Sequence, residues 1–129
     1  MRVRTLITMC VLGFSFVLPG AVWAELTTSR TSQYVTMDWS FKSDYRYVVY
    51  LKMYGQYNKT VWPGSNTHWT LDDSNAHKVS IRCWEGEKIC YGAWSDGNKY
   101  WGVGRGDRHG CESCCVVCSR GDKGTRTIY

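Results

Sequence analysis

Six cysteines, Cys83, Cys90, Cys111, Cys114, Cys115 and Cys118, lie in the last third of the chain, four of them in the run Cys111-x-x-Cys114-Cys115-x-x-Cys118. Thiolates two residues apart can reach a common zinc ion or iron–sulfur cluster. The C-x-x-C spacing is also that of thiol–disulfide exchangers, in which a helix start lowers the thiol pKa. An even count in a small domain fits a third chemistry, three disulfide bridges. The compartment and the elements that carry the cysteines decide among the three.

The amino-terminus bears on the compartment. Arg2 and Arg4 precede the apolar run Leu6 to Leu18, Pro19-Gly20 breaks it, and Val22-Trp23-Ala24 offers a cleavage site. That is the three-part pattern of a secretory signal peptide, assigned to residues 1–24. The run of about 13 residues falls short of the ~20 needed to span a membrane. Cys10 lies within it behind Ile7-Thr8-Met9, without the small residue that lipid attachment normally requires. Residues 25–129 are therefore expected as a single secreted or periplasmic domain with no membrane span. Exported thiols meet oxidising machinery, so disulfides are favoured over a metal centre, and no metal or cofactor is expected.

Geometry narrows the pairing. Adjacent Cys114 and Cys115 diverge and on a strand point to opposite faces, so each should reach a different partner. A Glu85-Gly86 turn leaves Cys90 diagonal to Cys83. The preferred arrangement sends Cys83 and Cys90 each into residues 111–118 and closes the third bond inside that segment, with a direct Cys83–Cys90 bond left open. Each bridge contributes ~2–4 kcal/mol through the chain entropy of the unfolded state. Thiol-redox catalysis would require a βαβ context that the chain does not display.

The surrounding elements read as strands. Val35, Met37, Trp39 and Phe41 alternate with Thr36, Asp38 and Ser40, and Tyr45, Tyr47, Val49, Leu51 and Met53 repeat the period of two, so the pair is expected to form an antiparallel hairpin. Gly55 to Gly64 reads as an irregular loop and His68 to Leu71 as a short strand. Val79, Ile81 and Cys83 lead through Glu85-Gly86 to a return strand through Ile89, Tyr91 and Ala93. Asp96-Gly97 is a hairpin signal before Tyr100 to Val103. Gly102 to Gly110 is a loop, Thr125 to Tyr129 a last strand, and Ser74 to His77 has room for one helical turn. The fold class is all-β, a small disulfide-stapled antiparallel sandwich or partly open barrel of about seven to eight short strands.

The formal net charge of +5 falls to about +3 without the leader, too little for a dedicated nucleic-acid binder. Aromatics are more telling. Trp39 belongs to the core by alternation, but Trp62, Trp69, Trp94 and Trp101 flank two loops of similar make-up, Trp62 to Trp69 and Trp94 to Trp101, the second of which also contains Tyr100. Indole faces beside Asn, Asp, Ser and Lys suit the C–H faces of sugar rings, and they also anchor protein interfaces. Core packing under the loops is the competing use of the same rings.

Other candidates carry less. His68, His77 and His109 are scattered without ligand-like spacing. Asp72-Asp73, Glu85 and Glu87 lack the context of a catalytic pair. Arg105-Gly106-Asp107 and Arg120-Gly121-Asp122 read as turns, not as adhesion tripeptides. Asn58-Lys59-Thr60 accepts a glycan only in a cell that glycosylates. The functional expectation is an exported, disulfide-rich binding module that recognises an envelope glycan or a protein partner through Trp62, Trp69, Trp94, Tyr100 and Trp101. The alternatives are a secreted effector or inhibitor acting on another protein and, with less to support it, a small hydrolase or thiol-redox protein.

Overall fold

Alternating apolar side chains need a second surface to bury against, and the chain supplies one by folding into two sheets around a shared core. The computed structural model describes residues 33–129; the signal peptide assigned to 1–24 lies outside them. Nine strands run in order: β1 Tyr34–Ser43, β2 Val49–Gly55, β3 Val61–Trp62, β4 Trp69–Leu71, β5 His77–Trp84, β6 Lys88–Ser95, β7 Lys99–Gly102, β8 Cys115–Val117 and β9 Gly121–Ile128. One sheet is ordered β5-β1-β9. The other is built on the pair β2-β6, with β3 and β4 on the free edge of β2 and β7 and β8 on that of β6. The fold is all-β, carries disulfides and does not close into a barrel.

The inward residues of both sheets meet in one cluster. Val35, Met37, Trp39 and Phe41 of β1, Val79, Ile81 and Cys83 of β5, and Val49, Leu51 and Met53 of β2 are all buried. Ile89, Tyr91 and Ala93 of β6 join them, with Tyr54, Leu71, Val103 and Ile128 among others. Tyr91 links the two sheets, its ring edge-on to Trp39 at 5.8 Å and to Phe41 at 5.3 Å between centroids. Burying aromatics of this size adds large contact areas to the core of a thin domain.

Several expectations are corrected. β1 and β2 are not a hairpin: β1 pairs with β5 and β9, β2 with β3, β4 and β6. Tyr45 and Tyr47 precede β2 instead of extending it, and Tyr47 is exposed. Val61–Trp62 forms a strand inside the expected Gly55–Gly64 loop, and Ser74 to His77 forms no helical turn. The described residues hold nine strands, against the seven to eight expected, and β9, which begins before Thr125, runs parallel to β1. A parallel neighbour requires a long connection, and here the whole path from β1 through the second sheet supplies it.

The Glu85-Gly86 turn is real but joins the two sheets instead of closing a hairpin. Glu87 N–H donates to the Trp84 carbonyl at 2.9 Å, and Gly86 has φ of 88°, which a side chain would strain. β5 then ends in one sheet and β6 begins in the other. The carboxy-terminal segment clamps this corner. Gly86 N–H donates to the Cys118 carbonyl at 2.8 Å and Cys118 N–H to the Glu87 carbonyl at 2.7 Å. The Cys83–Cys118 bridge lies directly beside them, with Cα atoms 6.1 Å apart.

The other bridges are Cys90–Cys115 and Cys111–Cys114. Cys83 and Cys90 thus each reach into residues 111–118, and the third bond closes within that segment. Cys90 and Cys115 are directly opposed in the β6–β8 ladder, which explains their close Cα separation of 4.0 Å. Three bridges in about a hundred residues mark a protein built for an oxidising, extracellular-type environment. No helix among the described residues is long and apolar enough to cross a membrane.

Candidate functional site

The outer face of the larger sheet is where the chain departs from a plain alternation of polar residues. In the ladder, Leu51 opposes Ala93 and Trp101 opposes Ala93 from the other side, so these point inward together. Their neighbours Tyr50, Trp94 and Tyr100 oppose one another across β2, β6 and β7 and therefore form a row on the outer face. The Tyr50 and Trp94 centroids are 6.0 Å apart. His68 from the β3–β4 connection packs edge-on against both, at 4.8 Å from Tyr50 and 5.9 Å from Trp94. His109 stacks flat on Tyr100 at 3.7 Å.

A loop of residues 103–110 crosses this face beside the row. Gly92 makes the crossing possible: a Cβ there would lie 2.0 Å from the Gly104 carbonyl oxygen. The loop is pinned at two points and closed on itself. Gly106 N–H donates to the Tyr54 hydroxyl at 2.8 Å and Gln56 Nε2 to the Asp107 carboxylate at 3.2 Å, and within the loop the Arg108 and His109 amides donate to the Val103 carbonyl. Burial beneath the loop raises the Tyr54 pKa, against the opposing pull of the Gly106 hydrogen bond. Past the loop the chain is locked by the Cys111–Cys114 and Cys90–Cys115 bridges, so the cysteine cluster fixes the far end of the segment that roofs the sheet.

Two hollows flank the loop. One, of about 640 Å³, runs along the aromatic row and the Asp96–Asn98 turn; the other, of about 610 Å³, lies over Lys52, Tyr54 and Lys59. Arg105 and Arg108 line both. The Arg105 guanidinium sits 5.6 Å from the Trp94 ring centroid, in cation–π range.

Of the five aromatic residues expected at a binding surface, the structure brings two together here, Trp94 and Tyr100. The other three face the opposite way. Trp62 opposes Met53, Trp69 opposes Leu51 and Trp101 opposes Ala93, all inward positions, and all three pack half-buried against the core. Trp101 is further engaged by its indole N–H, which donates to the Tyr129 carbonyl at 2.7 Å. Those three rings thus pack against the core as edge pieces of the space between the sheets.

Sequence reading missed Tyr50, His68, Arg105, Arg108 and His109. A signal existed for Tyr50, which falls on the wet face once Val49, Leu51 and Met53 are read as inward. None existed for the others, which lie in loops. His68 and His109 are not isolated surface histidines but parts of the aromatic row.

The remaining polar side chains make local contacts away from this face. His77 Nε2 is 2.7 Å from Asp73 Oδ1, and with Asp72 they make a small exposed cluster. The hydrogen bond from His77 and those from Asn75 hold the Asp73 carboxyl below its ordinary pKa. That pattern ties off the turn before β5. Glu87 is buried, and its carboxylate accepts the Asn58 amide at 3.0 Å, securing the start of the β2–β3 connection. The sulfurs of Cys90, Cys114 and Cys115 lie within 4.8 Å of one another, but each is bonded in a disulfide and offers no thiolate. Asp107 of the first Arg-Gly-Asp tripeptide is bound to Gln56, and the second tripeptide leads into β9. Comparison with protein-family models, with curated proteins and with solved structures finds no match to this chain.

Proposed function

We propose that the protein is a secreted or periplasmic binding module that takes a glycan on the outer face of its larger sheet. The observation that carries this reading is the row Tyr50, Trp94 and Tyr100, three rings from three adjacent strands, half-open to solvent along one groove. Flat aromatic faces on a rigid ladder suit the C–H faces of sugar rings, and the Asn98 and Asp96 side chains at one end supply partners for hydroxyls. The site is placed on strands held by disulfides, so little ordering entropy is lost on binding.

The test is a fluorescence and calorimetric titration of the protein with a panel of glycan oligomers, repeated on Trp94→Ala. Binding that shifts tryptophan emission and weakens at least about tenfold in Trp94→Ala is the expected result. Absence of any response across the panel would remove the proposal, and a protein captured specifically from the producing cell's surroundings would then favour the effector reading.

A further inference from the structure

We infer that the saccharide taken by this groove is acidic, bearing carboxylate or sulfate groups that Arg105 and Arg108 read from the loop across the sheet; the inference rests on the glycan reading above. The two hollows are lined by five cationic side chains, Lys52, Lys59, Lys99, Arg105 and Arg108, and by two carboxylates, Asp96 and Asp107. The ion pairs among the described residues lie elsewhere: Lys42 with Asp44, His77 with Asp73, and Lys78 with Asp38. Asp107 is turned to Gln56. The groove cations are therefore gathered without carboxylate partners, although the rest of the surface carries enough acid to pair them.

Like charges held together on a pinned loop repel one another, and an anion between them relieves that cost while adding attraction. Arginine favours the assignment further. Its planar fork of N–H donors matches carboxylate and sulfate oxygens two at a time, and it stays charged at any physiological pH. Arg105 is also the cation that lies over Trp94. One ligand can thus stack a ring face on Trp94 and Tyr50 while its acidic substituent meets Arg105 and Arg108 between the hollows. A neutral sugar would leave that arginine pair unanswered. A single-stranded nucleic acid brings anions and flat rings too, but the formal net charge of +5 is small for a dedicated nucleic-acid binder.

The experiment compares four probes of similar length by calorimetry: a sulfated heparin oligosaccharide, an oligogalacturonate, a neutral chito-oligosaccharide and a single-stranded DNA oligomer. At least one acidic saccharide should bind about tenfold or more tightly than the neutral one, and its affinity should fall as salt is raised from about 0.05 to about 0.5 M. The Arg105→Gln/Arg108→Gln variant should lose that acidic preference, its affinity for the acidic probe falling to that for the neutral one, whereas Lys78→Gln on the other sheet should leave the preference unchanged. The sulfated and carboxylated arms tell the two acid types apart. Neutral binding as tight as acidic, salt-independent acidic binding in the unaltered protein, or tighter DNA binding would overturn the inference and leave the aromatic site standing in the first two cases. A lack of binding by any saccharide would overturn both. The salt titration needs no variant, so it decides the matter even if the double variant fails to fold.

Discussion

Gly92 is the residue on which the outer face depends. A methyl group at this position would meet the backbone oxygen of Gly104 at 2.0 Å and the Tyr54 ring at 2.9 Å, and neither a carbonyl on a pinned loop nor a buried ring can yield cheaply. Gly92→Ala is expected to lower stability by about 1–3 kcal/mol, the range for forcing an extra carbon into a packed contact. The same variant should weaken the proposed saccharide binding, because displacement of the loop moves Arg105 away from Trp94. Denaturant unfolding checks the first effect and titration the second; an alanine variant of native stability would mean that the loop does not rest on the sheet.

Among the elements, the corner between β5 and β6 and the segment that clamps it define the use of the cysteines. The Cys83–Cys118 bridge spans 35 residues of sequence and the Cys111–Cys114 bridge only 3. Because a crosslink acts mainly by restricting the unfolded chain, the long bridge should contribute about 4 kcal/mol and the short one about 2 kcal/mol. Paired replacement, Cys83→Ala with Cys118→Ala against Cys111→Ala with Cys114→Ala, should reproduce that order in unfolding free energies. A larger loss from the short bridge would indicate that it supports native packing beyond its effect on the unfolded chain. The outline of the pairing was legible in the sequence, Cys83 and Cys90 each reaching into residues 111–118 because adjacent cysteines diverge, but which cysteine each one meets was not. The role of the corner was not, because a tight turn looks the same whether its strands pair with each other or part into separate sheets.

For the molecule as a whole, pH is the variable that reports on the two-sheet packing. Burial raises the pKa of both Tyr91, which joins the sheets, and Tyr54, under the loop; Arg126 partly offsets the first and the Gly106 amide the second. A phenol with a raised pKa in the folded state ionises first in the unfolded chain. Its contribution to stability is therefore fully present below the unfolded value of about 10 and is lost as pH rises through the folded value. Unfolding midpoints measured between about pH 9 and about pH 12 should fall across that window, and less steeply in Tyr91→Phe. An identical alkaline profile in the phenylalanine variant would show that Tyr91 ionises freely in the folded protein.

The sequence by itself determined the all-β class, most of the strands and the preference for Cys83 and Cys90 to reach into residues 111–118, though not which cysteine each one meets. Each rests on local chemistry: a period of two, turn residues, and the divergence of neighbouring side chains. Tertiary structure alone decided which strands share a sheet, that β9 lies parallel to β1, and which aromatics face solvent. Period two separates the two faces of a strand without saying which partner lies across the ladder. Trp94 and Trp101 therefore looked equivalent until the register set one beside Tyr50 on the outside and the other opposite Ala93 within. The gathering of His68, Arg105, Arg108 and His109 from two loops is a matter of where the chain crosses the sheet, and that is set by Gly92 and the bridges acting together.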